Sequence, residues 1–473
     1  MLHFIQSNKY KLNLFGIVLV AVIGGLLFGY DTAVISGAEK GLEQFFDAAT
    51  DFDYSDFWHG FTSSSALIGC IIGAFLSGFL SSRLGRKKSL FIAGILFFVS
   101  AWGSFAPESG ILPKGEPTMM LAVIFNIYRI IGGIGVGLAS AICPMYIAEI
   151  APAGKRGALV SWNQFAIIFG QLVVYFVNYL IVRSHINDPA VAEWTQQVGW
   201  RVMFGSECVP AAAFALLILL VPESPRYLAL QGRDDEALQV LCKLFPQEHA
   251  GEIIREIHAT ATEKREPLMR FGWLVIFVGI MLSVFQQIVG INAVLYFAPR
   301  IFESMGVNKP MIFTVIMGVV NISFTLLAIY TVEKFGRKPL LIVGSLLMSM
   351  GAAGVALINI ITLPAWVAVM SILVYSAAFM FSWGPICWVY MSELFPNTIR
   401  SQATAIAVAF QWISNFAVSA SFVPIYNYSH SMVYVIYGVI CLVAALFVWK
   451  LVPETKGKTL EEITTMWRER SKK

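Results

Sequence analysis

Residues 83–87 read Arg-Leu-Gly-Arg-Lys, and residues 334–338 read Lys-Phe-Gly-Arg-Lys. Two more motifs recur in the same order along the chain. They are a Glu and an Arg seven residues apart (Glu149 with Arg156, Glu393 with Arg400) and a Pro-Glu pair followed by a hydroxylated residue (222–224 and 453–455). Three matches in one order are improbable by chance. They predict a chain built from two similar halves.

The chain between these motifs is strongly apolar. Hydrophobic residues make up 57% of the 473 residues and charged residues only 13%. A soluble domain is roughly half apolar and about a quarter charged, so this composition argues against a soluble fold and predicts a lipid bilayer as the surroundings. The net charge of +4 is small and gives no reason to expect nucleic acid as a partner.

Twelve apolar runs are long enough to cross a membrane. A crossing helix needs about 20 apolar residues, and only helices or closed barrels satisfy their backbone in lipid. The runs are continuous rather than alternating, which indicates helices. They cover residues 14–36, 60–82, 89–106, 119–143, 158–182, 202–221, 271–299, 311–332, 339–360, 364–391, 402–424 and 432–451. The first run is too long for a signal peptide and contains Asp31, so we interpret it as the first span.

The longest polar interruption divides the spans six and six. The predicted fold is therefore an all-α membrane protein of twelve transmembrane helices in two parallel six-helix halves, residues 1–221 and 271–451. A cytoplasmic linker with short helices covers 222–270, and a tail covers 452–473. Lys and Arg are concentrated in the loops on the side of the two termini. The positive-inside rule then predicts a multi-pass protein of the inner (plasma) membrane with both termini in the cytoplasm.

Three charged residues fall inside the apolar runs of the first half. Asp31 lies in span one, Arg129 in span four and Glu207 toward the outer end of span six. A buried ion costs several kcal/mol unless it is paired, so we expect Asp31 and Arg129 to meet. The pair is either a static salt bridge or a proton site, in which Asp31 holds a proton once Arg129 moves away. Glu207 has the alternative of reaching water at the membrane surface.

Uncharged amides and aromatic residues recur inside the spans and form a candidate substrate pocket. Amides both donate and accept hydrogen bonds, as the hydroxyls of a sugar require, and aromatic rings cover its C–H face. An anionic substrate would need a cation here, so the pocket predicts a neutral polyol, although any single amide can equally bond a neighbouring helix. The candidates are Phe28, Gln164, Gln171, Gln286, Gln287, Asn292, Tyr296, Asn321, Gly384, Trp388, Gln411 and Trp412, followed by Phe379 and Trp383 as weaker ones.

The recurring loop motifs are candidate gates. Topological anchoring explains their basic residues but not the paired Glu and Arg or the repeated Gly. We expect a carboxylate and a guanidinium on neighbouring helix ends to clamp the cytoplasmic side while the outside is open. The residues concerned are Arg83, Gly85, Arg86, Glu149, Arg156, Glu223, Arg226, Gly336, Arg337, Glu393, Arg400 and Glu454. Gly290 and the pair Gly384-Pro385 predict breaks in spans seven and ten.

The six cysteines contain no CxxC pair and no metal-ligand spacing. They indicate buried thiols rather than disulfides or a zinc site. We expect neither a metal nor another cofactor.

Together the motifs resemble the signature set of the sugar porter family, part of the major facilitator superfamily, over nearly the whole chain. The runs at residues 25–32 and 286–292 are most similar to those of bacterial D-xylose–proton symporters. Three departures affect gate geometry rather than the pocket. Ser82 and Glu333 stand where the family has Asp, and Ser401 stands where Gly is common.

The resemblance implies a monomeric secondary transporter, not an enzyme, that carries a monosaccharide such as D-xylose or a related aldose together with a proton. It implies that Glu207 tunes Arg129 and that the pocket candidates contact the sugar. Family members that do not couple to protons typically have Asn at the position of Asp31, so Asp31 favours symport over passive uniport. The amide-rich pocket disfavours a multidrug exporter, the lack of an intramembrane catalytic group disfavours an enzyme, and the short tail disfavours a sugar sensor.

Overall fold

The computed structural model describes residues 2–108, 110, 112–152, 156–185, 190–261, 267–358, 364–456 and 460–470, and their regular structure is helical. The first half contains α1 (Leu2–Ala33), α2 (Ile35–Asp47), α3 (Asp56–Leu84), α4 (Arg86–Phe105), α5 (Met119–Ile150), α6 (Arg156–Arg183), α7 (Val191–Trp194), a π turn (Thr195–Gly199), α8 (Trp200–Gly205) and α9 (Cys208–Ile218). The linker contains α10 (Pro225–Leu230), α11 (Asp234–Leu244), α12 (Gln247–Ala261) and a 3-10 turn (Leu268–Phe271). The second half contains α13 (Trp273–Ile288), α14 (Ile291–Tyr296), α15 (Ala298–Ser304), α16 (Pro310–Phe335), α17 (Arg337–Ile358), α18 (Ala365–Phe381), α19 (Trp383–Leu394), α20 (Asn397–Tyr428) and α21 (His430–Leu451), and α22 (Leu460–Arg470) lies in the tail.

Twelve stretches of the described chain are long and apolar enough to cross a membrane, which confirms the predicted number. In order, the spans are α1 with α2, α3, α4, α5, α6, the π turn with α8 and α9, α13 with α14, α16, α17, α18 with α19, α20, and α21. An even number of crossings brings both ends of the chain to one face. We call this the terminal face, and the other the distal face.

Span one is longer than its hydropathy predicts. Its predicted end at residue 36 is wrong, because α2 continues as a helix to Asp47. Charged residues follow position 38, yet Leu42, Phe45 and Phe46 are buried and alternate with them at helical spacing.

Spans two and four pack with their backbones in close contact. Gly69 and Gly73 face Gly133 and Gly137, and a Cβ atom at any of the four would overlap a carbonyl oxygen of the facing helix. Such small-residue stripes allow helices to approach closely in lipid. The contact fixes the height of Arg129, which lies one turn before Gly133.

Spans seven and ten are both interrupted, close to the glycines from which the breaks were predicted. Gly290 separates α13 from α14 with φ of +87°, in the left-handed region that favours glycine. In span ten the break falls at Ser382, two residues before Gly384. At the first interruption the hydroxyl of Tyr375 donates to the carbonyl oxygen of Val289.

The linker and the tail both form helices. The short helices predicted for the linker are α10, α11 and α12. The tail adds a helix that the sequence analysis did not predict, α22, in which Ile463 and Trp467 are buried. The indole Nε1 of Trp467 donates to the carbonyl oxygen of Leu394 at 3.0 Å, which attaches α22 to the end of span ten.

Candidate functional site

A cavity that is partly open to solvent lies between the two halves. No acidic or basic side chain is among the described residues that line it. Its wall consists of amides, aromatic rings and aliphatic groups from both halves. The lining residues are Phe28, Thr32, Gln164, Ile167, Ile168, Gln171, Gln286, Gln287, Asn292, Leu295, Tyr296, Phe379, Met380, Gly384, Trp388, Gln411, Trp412 and Asn415.

A chain of amides connects the helices on the second-half side of this cavity. Gln411 donates to Oε1 of Gln286 at 2.5 Å, and Gln287 donates to the same oxygen at 3.3 Å. Asn292 donates to Oε1 of Gln287 at 2.6 Å. Gln286 in turn donates to the carbonyl oxygens of Trp383 and Gly384 at 3.1 and 3.3 Å, at the start of α19. The amides are therefore held in fixed orientations before any substrate arrives.

Other polar atoms at the cavity have no hydrogen-bond partner among the described residues. They include Oε1 of Gln171 on the first half and the indole Nε1 of Trp412 on the second. Phe28 packs against Trp412 across the halves with ring centroids 5.7 Å apart. A ligand with hydroxyl groups and an apolar face fits such a lining, because it can bond the free donor and acceptor and cover the rings.

Eleven of the twelve pocket candidates line this cavity, and Asn321 is the exception. Asn321 is buried in span eight, where its Oδ1 accepts from Ser376 of span ten at 2.6 Å. Asn321 thus bonds a neighbouring helix instead of lining the pocket, which was the alternative interpretation for each single amide. Of the two weaker candidates, Phe379 lines the cavity, whereas Trp383 points away and donates to Ser345 at 2.7 Å.

The structure adds cavity residues that the sequence analysis missed. Asn415 lies one turn after Gln411 on α20, and Tyr296 is within hydrogen-bond reach of it. Thr32 directly follows Asp31, and its hydroxyl donates to the carbonyl oxygen of Phe28 at 2.8 Å. The spacing of Asn415 from Gln411 was a usable signal, because residues four apart share a helix face. Nothing in the sequence pointed to Thr32.

Asp31 and Arg129 meet in the interior of the first half. Nη1 of Arg129 donates to Oδ1 of Asp31 at 2.6 Å, and Nη2 donates to its backbone carbonyl at 3.2 Å. The side chains are 0% and 2% exposed. The guanidinium also lies over the ring of Phe204, 4.9 Å from its centroid. Because Thr32 and Phe28 line the cavity beside Asp31, the ion pair is directly behind the cavity wall.

Glu207 lies next to this pair rather than at a surface. Its side chain is buried and interacts with both Asp31 and Arg129. Neither of its carboxylate oxygens has a hydrogen-bond donor among the described residues. The interfacial alternative for Glu207 is therefore wrong. Two carboxylates share one guanidinium, which leaves the cluster one positive charge short unless a proton is bound.

The loop motifs of the first half form one network on the terminal face. Arg86 makes a two-point contact with Glu149, at 2.8 Å from Nε and 2.7 Å from Nη2. Glu223 accepts the backbone N–H of Arg86 at 2.8 Å, as carboxylates do at helix N-termini. Gly85 has φ of +88°, and a Cβ there would strike the Glu223 carboxylate, so the motif requires glycine.

The second half repeats this network atom for atom. Arg337 contacts Glu393 at 3.2 Å from Nε and 2.8 Å from Nη2, and Glu454 accepts the backbone N–H of Arg337 at 3.1 Å. Gly336, with φ of +90°, lies against the Glu454 carboxylate. The sequence repeat thus corresponds to a structural repeat.

The motifs predicted a carboxylate and a guanidinium on neighbouring helix ends, and Arg86 with Glu149 and Arg337 with Glu393 are such pairs. Each of these two pairs joins residues of one half. Arg400 donates to the carbonyl oxygen of Phe395 at 3.1 and 3.2 Å, and burial lowers its pKa. Arg83 lies over the ring of Phe79 and Arg226 is exposed. The side chain of Arg156 lies outside the described residues.

Comparison with known proteins identifies the family. The sequence profile described as "Sugar (and other) transporter" matches residues 17–467. The chain belongs to this family of sugar transporters. It is a transporter and not an enzyme, and its twelve helices have the major facilitator fold.

Individual relatives match the chain along its full length. The D-xylose-proton symporter of Escherichia coli strain K12 is 50% identical over an alignment that covers 99% of each of the two chains. An inward open structure of the E. coli xylose transporter XylE matches with a TM-score of 0.86 at 50% identity, covering 96% of this chain and 100% of that one. A structure of the proton:xylose symporter XylE bound to 6-bromo-6-deoxy-D-glucose matches with 0.81 at 49% identity, covering 97% and 99%.

The structure of this sugar transporter also shows how its cysteines and carboxylates are arranged. All six cysteines are unpaired thiols. Glu39, Glu43 and His59 place possible metal-ligand atoms within 4.8 Å of one another, a cluster with no sequence spacing to reveal it. The guanidinium of Arg300 already contacts both carboxylates of this cluster.

Proposed function

We propose that this protein carries a neutral monosaccharide, D-xylose or a related aldose, into the cell together with a proton. The observation that carries the proposal is the buried Asp31–Arg129 pair directly behind the wall of an uncharged, amide-lined cavity. The relative that is 50% identical is a D-xylose-proton symporter. A passive uniporter has no need of an ionisable pair in this position, where a buried charge is costly.

The amides and rings of the cavity supply the sugar site. Gln164 and Gln171 bond the sugar from the first half, and Gln286, Gln287 and Asn292 bond it from the second. Phe28, Tyr296, Trp388 and Trp412 cover its C–H face, and Gly384 allows the backbone of span ten to approach. Because the substrate touches both halves, its binding favours the states in which the halves close around it.

Asp31 binds the coupling proton. Its ionised form is stable beside Arg129, because an unpaired buried charge would cost several kcal/mol. When Arg129 turns toward Glu207, Asp31 takes up a proton and the pocket region becomes electrically balanced. Tyr296 of the cavity is within electrostatic reach of Asp31 and Arg129, so a sugar that moves Tyr296 also alters the environment of the pair.

Transport follows from rocking of the two halves about the cavity. We assign residues 1–221 and 271–451 as the moving bodies, residues 222–270 as the cytoplasmic linker between them and 452–473 as the cytoplasmic tail. The terminal face, rich in Lys and Arg, is cytoplasmic, and the protein lies in the inner membrane as a monomer. The TM-score is higher against the inward open structure (0.86) than against the sugar-bound one (0.81). This difference supports a conformation that is closed at the distal face.

The test separates coupling from sugar movement. Asp31→Asn removes the exchangeable proton but keeps the side-chain shape. In proteoliposomes with an imposed proton gradient, the wild type should concentrate labelled xylose, whereas Asp31→Asn should retain counterflow and lose accumulation. Asp53→Asn, a matched change at an exposed distal carboxylate, should accumulate sugar normally. If Asp31→Asn still accumulates xylose, coupling must be assigned to another group. If the protein shows no counterflow with any aldose tested, the sugar assignment is refuted.

A further inference from the structure

Four ionisable side chains form a cluster at the distal face, away from the sugar site. Glu39 and Glu43 lie one turn apart on α2, His59 lies near the start of α3, and Arg300 lies on α15 of the second half. Arg300 donates from Nε to Oε1 of Glu39 at 3.1 Å, and its Nη2 is 2.8 Å from Oε2 of the same carboxylate. Nη2 also contacts Glu43. Nε2 of His59 is 3.0 Å from Oε2 of Glu39.

The cluster joins the two halves where the described terminal-face motifs do not. Glu39, Glu43 and His59 belong to the first half and Arg300 to the second. In the inter-half pair of Arg300 with Glu39 the side chains are 15% and 1% exposed, whereas a neighbouring inter-half pair, Lys40 with Glu303, is about half exposed. Buried pairs contribute far more than exposed ones when a partner is removed. Of these two ion pairs, Arg300 with Glu39 should therefore contribute more to the closure of this face.

Opening the distal face must separate Arg300 from Glu39. Burial by itself would lower the pKa of Arg300, but Glu39 and Glu43 raise it above the ordinary value, which measures how strongly the carboxylates hold the guanidinium. When the second half moves away, the Glu39 carboxylate stays in the first half without its cation. His59 moves with Glu39, because both belong to the first half, and its ring is already in hydrogen-bond contact.

The charges around His59 determine the direction of its response. Glu39, Glu43 and Asp47 face it from α2 and Asp56 from its own helix. The hydroxyl of Tyr54 lies 3.4 Å from Nδ1, and Phe297 of the second half covers the ring. Arg300 is the cation of the cluster, and Lys40 is engaged by Glu303. Departure of Arg300 removes a like charge, so the imidazolium is more stable in the open state than in the closed state.

We propose that Glu39, Glu43 and Arg300 form the distal clamp, and that His59 binds a proton from the distal solution as the clamp opens, replacing Arg300 as the counter-charge of Glu39. By linkage, a group with higher proton affinity in the open state shifts the equilibrium toward that state as the pH falls. On the proposed topology the distal solution is extracellular. External acid therefore protonates His59 and increases the population of the outward-open form.

The experiment measures opening without transport. Spin labels at Lys114→Cys and Lys309→Cys, exposed positions on the distal loops of the two halves, report the width of the distal mouth. Cys208→Ser and Cys242→Ser remove the partly exposed thiols, and Asp31→Asn removes the response of the main proton site. Acidification from about pH 7.5 to about pH 5.5 should enlarge the long-distance population. The open-to-closed ratio should therefore be higher at the acidic pH than at the neutral one.

Variants of the cluster decide the outcome. His59→Gln should abolish the acid response, whereas His185→Gln, a matched change at a distal histidine that stacks on Trp194, should preserve it. Arg300→Gln should give the open distance at either pH, and Arg300→Lys should remain closed at neutral pH. An undiminished acid response in His59→Gln, or a closed mouth in Arg300→Gln, would overturn the proposal. If His59→Gln does not fold, the two Arg300 variants still test the clamp.

This inference rests on the proposed alternating access but not on the substrate or on coupling at Asp31. The distances are measured without sugar and in the Asp31→Asn background. A failure of xylose accumulation would leave the distance result standing, and a failure of the distance result would leave the sugar site untouched.

Discussion

Gln287 shows how single amides prepare the cavity for a sugar. It donates to Gln286 and accepts from Asn292, so both ends of its amide are held while a further lone pair faces the cavity. Gln287→Ala should weaken xylose binding by about 1–3 kcal/mol, because a sugar hydroxyl loses its partner in a desolvated site. Gln164→Ala should have a loss of the same order. Calorimetry on the purified variants gives the affinities directly.

The control for that measurement is another buried amide. Asn321→Ala removes an amide that bonds Ser376 outside the cavity lining. It should lower the thermal stability of the protein and leave the affinity for xylose near that of the wild type. Wild-type affinity in both Gln variants, or an equal loss in Asn321→Ala, would contradict the assignment of the sugar site.

Among the helices, the terminal-face networks join the ends of three spans in each half. Glu393 accepts from Arg337 and also from Thr455 at 2.6 Å, so it connects spans nine, ten and twelve. Glu393→Ala should slow transport severalfold and lower the free energy of unfolding by about 3–5 kcal/mol, because a partly buried guanidinium loses its carboxylate. Sugar affinity should stay unchanged, because the network is remote from the cavity.

Initial uptake rates and calorimetric affinities separate these two effects. Glu236→Ala serves as the matched variant, because Glu236 pairs with Arg233 on the exposed linker and exposed ion pairs contribute little. It should transport and bind normally. A collapse of sugar affinity in Glu393→Ala would mean that the network shapes the cavity rather than the movement of helix ends.

The tail helix α22 depends on one aromatic anchor. Trp467 is fully buried and bonds the carbonyl oxygen of Leu394, and Arg468 lies over the ring of Phe271. Trp467→Ala should destabilise the protein by about 3–5 kcal/mol, visible as a lower melting temperature in detergent. Glu469→Ala, an exposed change on the same helix, should not. Equal melting temperatures for both variants would show that α22 contributes nothing to stability.

For the whole molecule, the arrangement of inter-half contacts indicates which mouth is closed. Lys40 and Glu303 meet across the halves at 2.6 Å on the distal face. Lys40→Cys with Glu303→Cys, each joined through a disulfide to a short bis-thiosulfonate reagent that releases sulfinate, should stop transport completely, because the halves can no longer separate there. Reduction should restore it. Sugar binding should persist in the cross-linked protein, because the cavity is reached from the terminal face.

Each single-cysteine variant treated with the same reagent should transport normally, which excludes modification alone as the cause. Loss of sugar binding on cross-linking would instead mean that the cavity is reached through the distal mouth in this state. Transport that continues in the cross-linked protein would contradict rocking of the two halves.

The energetics of the cycle also belong to the whole molecule. One charge that moves through about 100 mV gains about 2.3 kcal/mol, which supports roughly fifty-fold accumulation of a neutral sugar at about 1.4 kcal/mol per factor of ten. Only a structure in which sugar and proton cross together can use this gain. Direct contact between the Asp31 region and the cavity wall provides the physical route for that coupling.

The sequence by itself determined the twelve helices, the two-half repeat and most of the cavity. These follow from local chemistry, because a run of about 20 apolar residues must form a helix in lipid, and intramembrane amides and charges cannot face the hydrocarbon. Asp31 and Arg129 were paired correctly for the same reason, since each was the other's available partner. Asn415 was within reach of this reasoning but was overlooked.

Only the tertiary structure decided which side chains meet across helices and halves. It directed Asn321 to Ser376 instead of the cavity, paired Glu149 with Arg86 and Glu393 with Arg337, and buried Glu207 beside Arg129. It also extended span one far enough to bring Glu39 to Arg300 and His59, a cluster whose members lie in three distant segments. Hydropathy describes how each residue interacts with lipid or water, whereas these contacts depend on the rotation and relative height of packed helices, which no single segment encodes.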